Sequence, residues 1–429
     1  MNWNVRLAYA QTIAQSIGFG IMSTAFSVFV TSTQGLDLSN FILGNLFTVS
    51  GLASTIFVFP SGWAADKFRR DLLIRASVLF GVIAQIVLIY ATLIVAPGPS
   101  TIDYLFLGRI FGGIGFGLSG PAAQALLADS IPSGRRSKTF ANMHFLNLSA
   151  AAIGPFLAVA LTLILGDTWS LEALQVLIFS AAFVMSLGYI VIFFASDKYA
   201  LEGKNHLNNS NPSDFDKIPV DINSSYDMTI PVILVISGVI IGFGAGATVA
   251  FFPVLFADPV IGYNLPPTFV YSVVGIGNIA TGFAGLAVQR LAKKVGRVQI
   301  MFLTQISAII CLLGIVGNLI LYQNNIIGAT ISILLLVVFY ISRNALMNAS
   351  GPISRSLIMD IVPSSSRAKW NSMETLAWGT FWALSASLGG YIVDSLGFIY
   401  VFLFTATLYT IATFILLIIK NRAPAEINE

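Results

Sequence analysis

Apolar residues run along this chain in long unbroken stretches separated by short polar links, with no third-and-fourth-position stripe of the kind a soluble helix shows. Stretches of that kind predict helices that are apolar all round, the form lipid demands, because a helix satisfies its own backbone polar groups. Twelve are readable, at 6–30, 40–63, 73–95, 103–128, 139–165, 171–195, 229–256, 267–289, 298–321, 326–357, 371–394 and 398–420. The links between them carry turn formers: Gly35, Pro97-Gly98-Pro99, Gly166-Asp167, Pro259, Pro266-Pro267 and Gly397. One long polar stretch, 196–228, holds five Asp and the run Asn208-Asn209-Ser210-Asn211-Pro212, the composition of a flexible linker. The expected architecture is an all-α membrane protein of 12 transmembrane helices in two pseudo-symmetric six-helix bundles. The expected bundles are 1–195 and 229–429, joined by the linker 196–228.

An internal repeat supports the two halves. At a fixed offset of 231, Gly120-Pro121 falls on Gly351-Pro352, Asp129 on Asp360, Pro132 on Pro363, Arg136 on Arg367 and Lys138 on Lys369. Each copy is an apolar helix that ends in Asp, turns at Pro and finishes in basic residues.

Composition and charge sharpen this picture. The 429 residues are 56% hydrophobic and 10% charged, whereas soluble domains carry about 25% charged residues. Of the 22 Lys and Arg, 20 fall in or within three residues of the N-terminal segment, the even-numbered connections or the tail after span 12. The odd-numbered links at 31–39, 96–102, 166–170, 257–266, 322–325 and 395–397 hold none. The positive-inside rule then puts both termini and the linker in the cytoplasm of a multi-pass cell-membrane protein. The sequons at Asn208 and Asn223 would matter only on the outside. The first apolar run, to Val30, exceeds the ~7–15 residues of a signal-peptide core and reads as span 1. Cys311 is the single cysteine, so no intramolecular disulfide is expected. A net charge of +3 gives no reason to expect nucleic acid as a partner.

The two cations outside the pattern are Arg109 and Arg343, inside spans 4 and 10. An Arg at a helix centre costs at least ~2.5–3.5 kcal/mol on insertion scales, so such residues face a cavity or a partner. Counted back from Asp129 and Asp360, they lie about 30 and 25 Å from the basic ends. Either an anionic substrate, a nearby carboxylate, helix carbonyls or a loop acid such as Asp103 or Asp394 would answer their charge.

The link after span 2 reads Gly62-Trp-Ala-Ala-Asp66-Lys67-Phe-Arg69-Arg70, and its counterpart reads Gly285-Leu-Ala-Val-Gln289-Arg290. With Arg109-x-x-x-Gly113-x-Gly115, the chain resembles the major facilitator superfamily over nearly its whole length. The resemblance implies that Asp66 caps and charge-pairs neighbouring helix ends in a cytoplasmic gate that locks the outward-open state. Gly62, Arg69, Arg70, Asp129, Arg136, Asp360 and Arg367 complete that gate. Gln289 departs from the pattern, which makes the N-terminal lock the stronger expectation. The Arg109 signature resembles that of many proton-linked antiporters, whereas Gly154-Pro155 in span 5 carries the family's antiporter motif only faintly. In this family spans 1, 4, 7 and 10 line the cavity, so the implied substrate and coupling-ion residues are Arg109, Arg343, Gln15, Thr248, Asn344 and Asn348. Gln11, Thr24 and Phe251 are placed there by the same analogy.

Proton coupling asks for an acid near the midplane, and the intramembrane candidates are Glu374, Glu172 and Asp394, Glu374 foremost. His144 titrates in a useful range, but a histidine near the inner end of span 5 is more often a satisfied packing residue. Trp378 and Trp382, one turn apart in span 11, are either substrate-facing or packed on lipid and neighbouring helices. Gly115-x-Gly117-x-x-Gly120 matches a dinucleotide fingerprint, but it lies inside a span, where small residues serve close helix packing.

No metal-ligand spacing, nucleophile–base pair or nucleotide loop is readable, so an enzyme, a cofactor and a primary ATP-driven pump are not expected. A non-transporting sensor would normally append a soluble domain. The leading expectation is a monomeric secondary active transporter working by alternating access, a proton-coupled antiporter for efflux of drug-like or amphipathic molecules. The alternative is an organic-anion carrier with Arg109 and Arg343 as carboxylate or phosphate ligands.

Overall fold

The computed structural model describes residues 1–93, 99–132, 136–201, 228–362 and 367–422. The sequon at Asn208 and the one at Asn223 lie outside them, as do the side chains of Asp66, Arg136, His144 and Arg367. Among the described residues every regular element is helical, and twelve spans are long and apolar enough to cross a membrane. The first half contains α1 (Trp3–Thr31), α2 (Asn40–Lys67), α3 (Arg70–Leu93), α4 (Pro99–Asp129), α5 (Arg136–Ile164) and α6 (Leu171–Phe193). The second contains α7 (Thr229–Thr248), α8 (Phe252–Ala257), α9 (Pro267–Val295), α10 (Arg297–Gln323), α11 (Ala329–Ala349), α12 (Gly351–Ile361), α13 (Arg367–Leu396) and α14 (Phe398–Ile415).

Local chemistry sets several helix starts. Ser39 and Ser170 accept from the backbone N–H of Ile42 and Ala173 at 3.3 and 3.2 Å, taking up donors that the first turns leave free. Two spans expected to be continuous are broken. Span 7 passes through a short 3-10 turn, Val249–Phe251, before α8. Pro253 supplies no N–H for the carbonyl four residues back, which removes one bond of the α-helical ladder at the break. Pro352 interrupts span 10 at Ser350 in the same way, yet Pro121, its repeat partner, sits inside an unbroken α4.

One end of the molecule gathers the chain start and the basic links. There Asn4 Nδ2 donates to Ser130 Oγ and to the Ser196 carbonyl, both at 2.9 Å, tying α1 to the ends of α4 and α6. After α6, a 3-10 turn at Asp197–Tyr199 docks on the same surface, where the Asp71 N–H donates to Asp197 Oδ2 at 3.1 Å. Burial pushes the Asp197 carboxyl above the usual carboxylate range.

The apolar interior explains how the halves meet. A single large core, running from Ile21 to Tyr409, draws on both halves and fills the far side of the molecule. Toward the basic side the cores separate. One cluster around Leu7, Ile74 and Leu126 and another around Val5 and Ile131 belong to the first half alone. The cluster around Leu234, Ile300, Leu357 and Trp370 belongs to the second. The helix pairs α2/α13 and α5/α9 pack across the junction. Their cross-half bonds run from Asn40–Asp394 at the far end to Thr55–Thr380 and Asn278–Ala151 near the middle. Thr55 and Asn278 stand about 18 and 25 Å above the basic ends of their helices. The molecule is joined on its far side and divided toward its basic side.

Candidate functional site

The wall where the halves diverge is built by α13 and α2. Glu374, Trp378 and Trp382 recur every fourth residue of α13 and so share one face. The two indoles stack with centroids 6.4 Å apart, and Trp382 meets Phe47 of α2 edge-on at 5.9 Å across the junction. Phe47 in turn meets Phe26 of α1 at 6.1 Å. Trp378 remains 42% exposed. These rings form a continuous aromatic strip along α13, α2 and α1, and Trp378 also lies against Gly242 of α7.

Arg109 ends that strip. Its guanidinium carbon lies 4.7 Å from the Phe47 ring centre and 5.1 Å from that of Phe26, and its Nε donates to the Leu46 carbonyl at 3.3 Å. Ring faces are electron-rich, so both contacts attract a cation. Behind it, Ser50, Gln85 and Arg109 line a cavity of about 50 Å³ between α2, α3 and α4. Gln85 Oε1 there is buried without a hydrogen-bond partner, so the mostly apolar cavity has a polar atom for a water to bond and room to hold one.

Arg343 lies elsewhere. It is 2% exposed inside the second half, with Nη2 donating to Tyr409 Oη at 2.6 Å. Its guanidinium sits 5.6 Å from the Phe252 ring and 5.5 Å from the Tyr409 ring. Phe252 opens α8, so this grip falls on the segment just past the break in span 7. Among the described residues no acid pairs with Arg343, and its Nε is buried without a partner. The repeat offset that carries Asp129 to Asp360 carries Arg109 to Tyr340, not to Arg343.

A buried cation without a counter-ion adds little net stability. Arg343→Met should therefore keep or raise the thermal midpoint in detergent. Tyr409→Phe should lower stability by about 1–3 kcal/mol, because it strands the donor. A larger loss in Arg343→Met than in Tyr409→Phe would show Arg343 to be a structural pillar.

The other expected cavity residues divide. Gln15 donates to the Met185 carbonyl at 3.0 Å and so faces α6 within the first half. Thr248 is buried at the helix break, its hydroxyl turned back to the Gly244 carbonyl at 3.3 Å. Asn348 is exposed and donates to the Asn344 carbonyl at 2.8 Å. Glu374 is half-buried, 4.0 Å from Arg355, with Oε2 lacking a hydrogen-bond partner.

The expected gate residues on the basic side pair within each half. Arg70 pairs with Asp129, and Arg69 donates to Asp71 at 3.1 and 2.6 Å. Gly62 has open space beside it. Asp360 pairs with Arg297 at 2.5 Å, so the second half carries its own brace despite Gln289. The sequence reading did not single out Arg297, although it follows Arg70 by 227 positions at the same helix start. Asp394 does not answer either buried Arg. It accepts from the start of α2, and Asp167 accepts from the start of α9.

A family model described as Major Facilitator Superfamily matches residues 9–342. Among curated proteins, the quinolone resistance protein NorA of Staphylococcus aureus is 25% identical over 155 residues. That match covers 36% of this chain and 37% of the relative. Among solved structures, the nucleoside transporter NupG superposes with TM-score 0.68 at 14% identity, covering 97% of this chain and 99% of that one. A D-xylose-proton symporter gives TM-score 0.70 at 14% identity, with 98% and 97% covered. The inward open conformation of the xylose transporter XylE from E. coli gives 0.68 at 14%, with 96% and 95% covered. At such identities these likenesses show the fold alone.

Proposed function

Because the chain belongs to the major facilitator superfamily, we propose that its cycle exports drug-like, amphipathic solutes in exchange for protons. At the coarser level it is a multi-pass membrane transporter that moves small solutes by alternating access, and not an enzyme. The proposed moving bodies are 1–195 and 229–429, with 196–228 as their tether. By the positive-inside rule the basic side faces the cytoplasm and both termini lie there. This conformation is then open inward and sealed outward. A single chain supplies both halves of the pathway, so the working unit is a monomer in the cell membrane.

The aromatic strip carries this reading. Trp378, Trp382 and Phe47 offer flat apolar faces and few fixed polar groups, a surface that suits flat amphipathic solutes better than polyhydroxylated ones. The partial match to a quinolone resistance protein points the same way. Glu374, at the mouth of the strip with an oxygen that lacks a hydrogen-bond partner, is the proposed proton carrier. The anion-carrier alternative loses support, because Arg343 is enclosed among Phe252 and Tyr409 and offers a solute no free fork.

Transport of fluorescent aromatic dyes in everted membrane vesicles tests the proposal. Uptake should follow an imposed pH gradient, collapse with a protonophore and lose its gradient dependence in Glu374→Gln. Uptake that persists without the gradient would remove proton coupling. Exchange of organic anions without a gradient would restore the alternative.

A further inference from the structure

The far-side seal contains a matched pair of bonds that the transport reading does not use. At the end of α13, Asp394 Oδ1 accepts from the Asn40 backbone N–H at 3.0 Å and from Asn40 Nδ2 at 2.8 Å. Its Oδ2 accepts from the Phe41 N–H at 2.8 Å. Those are the first donors of α2, in the other half. Just past the end of α5, Asp167 Oδ1 accepts from the Thr268 N–H at 2.8 Å, and its Oδ2 accepts from Thr268 Oγ1 at 2.6 Å. Thr268 stands in the first turn of α9, again in the other half.

The two acids and the two helix starts are separated by the same 227 positions, 167 to 394 and 41 to 268. The first half thus caps a helix of the second, and the second caps the equivalent helix of the first. One difference has a plain cause. The position matching Asn40 is Pro267, which has no N–H, and the Thr268 hydroxyl supplies the second donor there. Asp167 reaches its partner from a left-handed backbone conformation, φ 51°, which Asp tolerates better than most residues.

We infer that Asp167 and Asp394 are the positioning residues of the far-side gate, two reciprocal carboxylate clamps that hold it shut. A helix start carries free N–H groups and partial positive charge, so each carboxylate gains a charge-assisted bond that exists only while the gate is closed. Opening the far side must break both clamps. Neither joins helices of one half, so neither is needed for a half to fold. Trp169 Nε1, donating to the Leu265 carbonyl at 2.8 Å beside the Asp167 clamp, helps to align it. The inference rests on alternating access and not on the solute, so its test uses no solute.

The test is a spin-label distance across the seal. Cys311→Ala gives a cysteine-free background, and Ile164→Cys and Ile326→Cys place labels at 82% and 66% exposed sites in opposite halves on the far side. Asp394→Asn should raise the ratio of long to short distances about fivefold, and the more enclosed Asp167→Asn about tenfold. The clamps join different helix pairs, so the double variant should approach about fiftyfold. Asp258→Asn is the control. Asp258 also accepts backbone N–H bonds on this side, from Val260 and Ile261 at 2.7 and 2.9 Å, but wholly within one half. It should leave the ratio unchanged. Asp→Glu at either clamp should recover part of the closed population.

A double variant with the parent's distances, in protein that elutes as a folded monomer, would overturn the inference. So would an equal shift in Asp258→Asn, which would indicate general loosening.

Discussion

Replacing Arg109 with alanine is expected to slow transport by about a hundredfold or more while the protein still folds and inserts. The guanidinium is held by two ring faces, from α1 and α2, and by the Leu46 carbonyl. Each ring contact contributes about 0.5–2 kcal/mol and the charge-assisted bond about 1.5–3 kcal/mol. Losing them together is about 2.5–7 kcal/mol, and 1.4 kcal/mol is roughly tenfold. Insertion should not suffer, because removing a charge from a membrane helix lowers its cost. Arg109→Lys should fall between, since an ammonium keeps the charge but loses the planar fork. Initial transport rates in proteoliposomes, normalised to inserted protein, check this. A wild-type rate for Arg109→Ala would take the residue out of the transport cycle.

Gly390→Leu is expected to abolish transport by a different route, by wedging the far-side gate open. The α2 and α13 backbones meet there with no side chain between them. A Cβ on Gly390 would meet the Asn40 carbonyl oxygen, and one on Gly44 would meet the Ala386 carbonyl oxygen. Overpacking costs about 1–3 kcal/mol or more when a core cannot yield. This junction has an easier escape, since the halves can separate and leave the far side open. The closed population should fall about a hundredfold, read by the same spin-label pair, and turnover should stop with it. Gly120→Ala and Gly238→Ala are the matched controls. A Cβ at either site meets nothing within 4 Å, and both variants should transport normally. Normal transport by Gly390→Leu would mean that the two helices do not need this close approach.

The contrast between Gly390 and Gly120 shows where sequence reading runs out. Both are glycines in apolar spans, and the pattern Gly115-x-Gly117-x-x-Gly120 suggested packing at every position. Cβ atoms on Gly115 and Gly117 would be crowded by α3 and α2, whereas one on Gly120 would meet open space. Spacing gives the face a residue shares with its neighbours, but not the distance to the helix opposite. The repeat had the same limit. It located Asp129 and Asp360 at matching helix ends; Arg70 was already expected in the gate, but its pairing with Asp129, and Arg297 as the partner of Asp360, emerged only when the helices were packed. It also gave no sign that Pro121 would sit in a continuous helix while Pro352 marks a break.

The amino-acid order by itself determined the number of spans, the confinement of cations to one side and the two-half plan. Each follows from lipid acting as a solvent, and a solvent responds to composition along the chain without reference to distant residues. The tertiary structure alone decided that Arg109 ends an aromatic strip, that Arg343 is enclosed, and that Asp394 caps a helix 354 positions away. Those outcomes depend on how each helix is rotated about its axis and which neighbour it meets. In chains apolar on every face, hydrophobic periodicity leaves that rotation open, and close packing between particular side chains sets it.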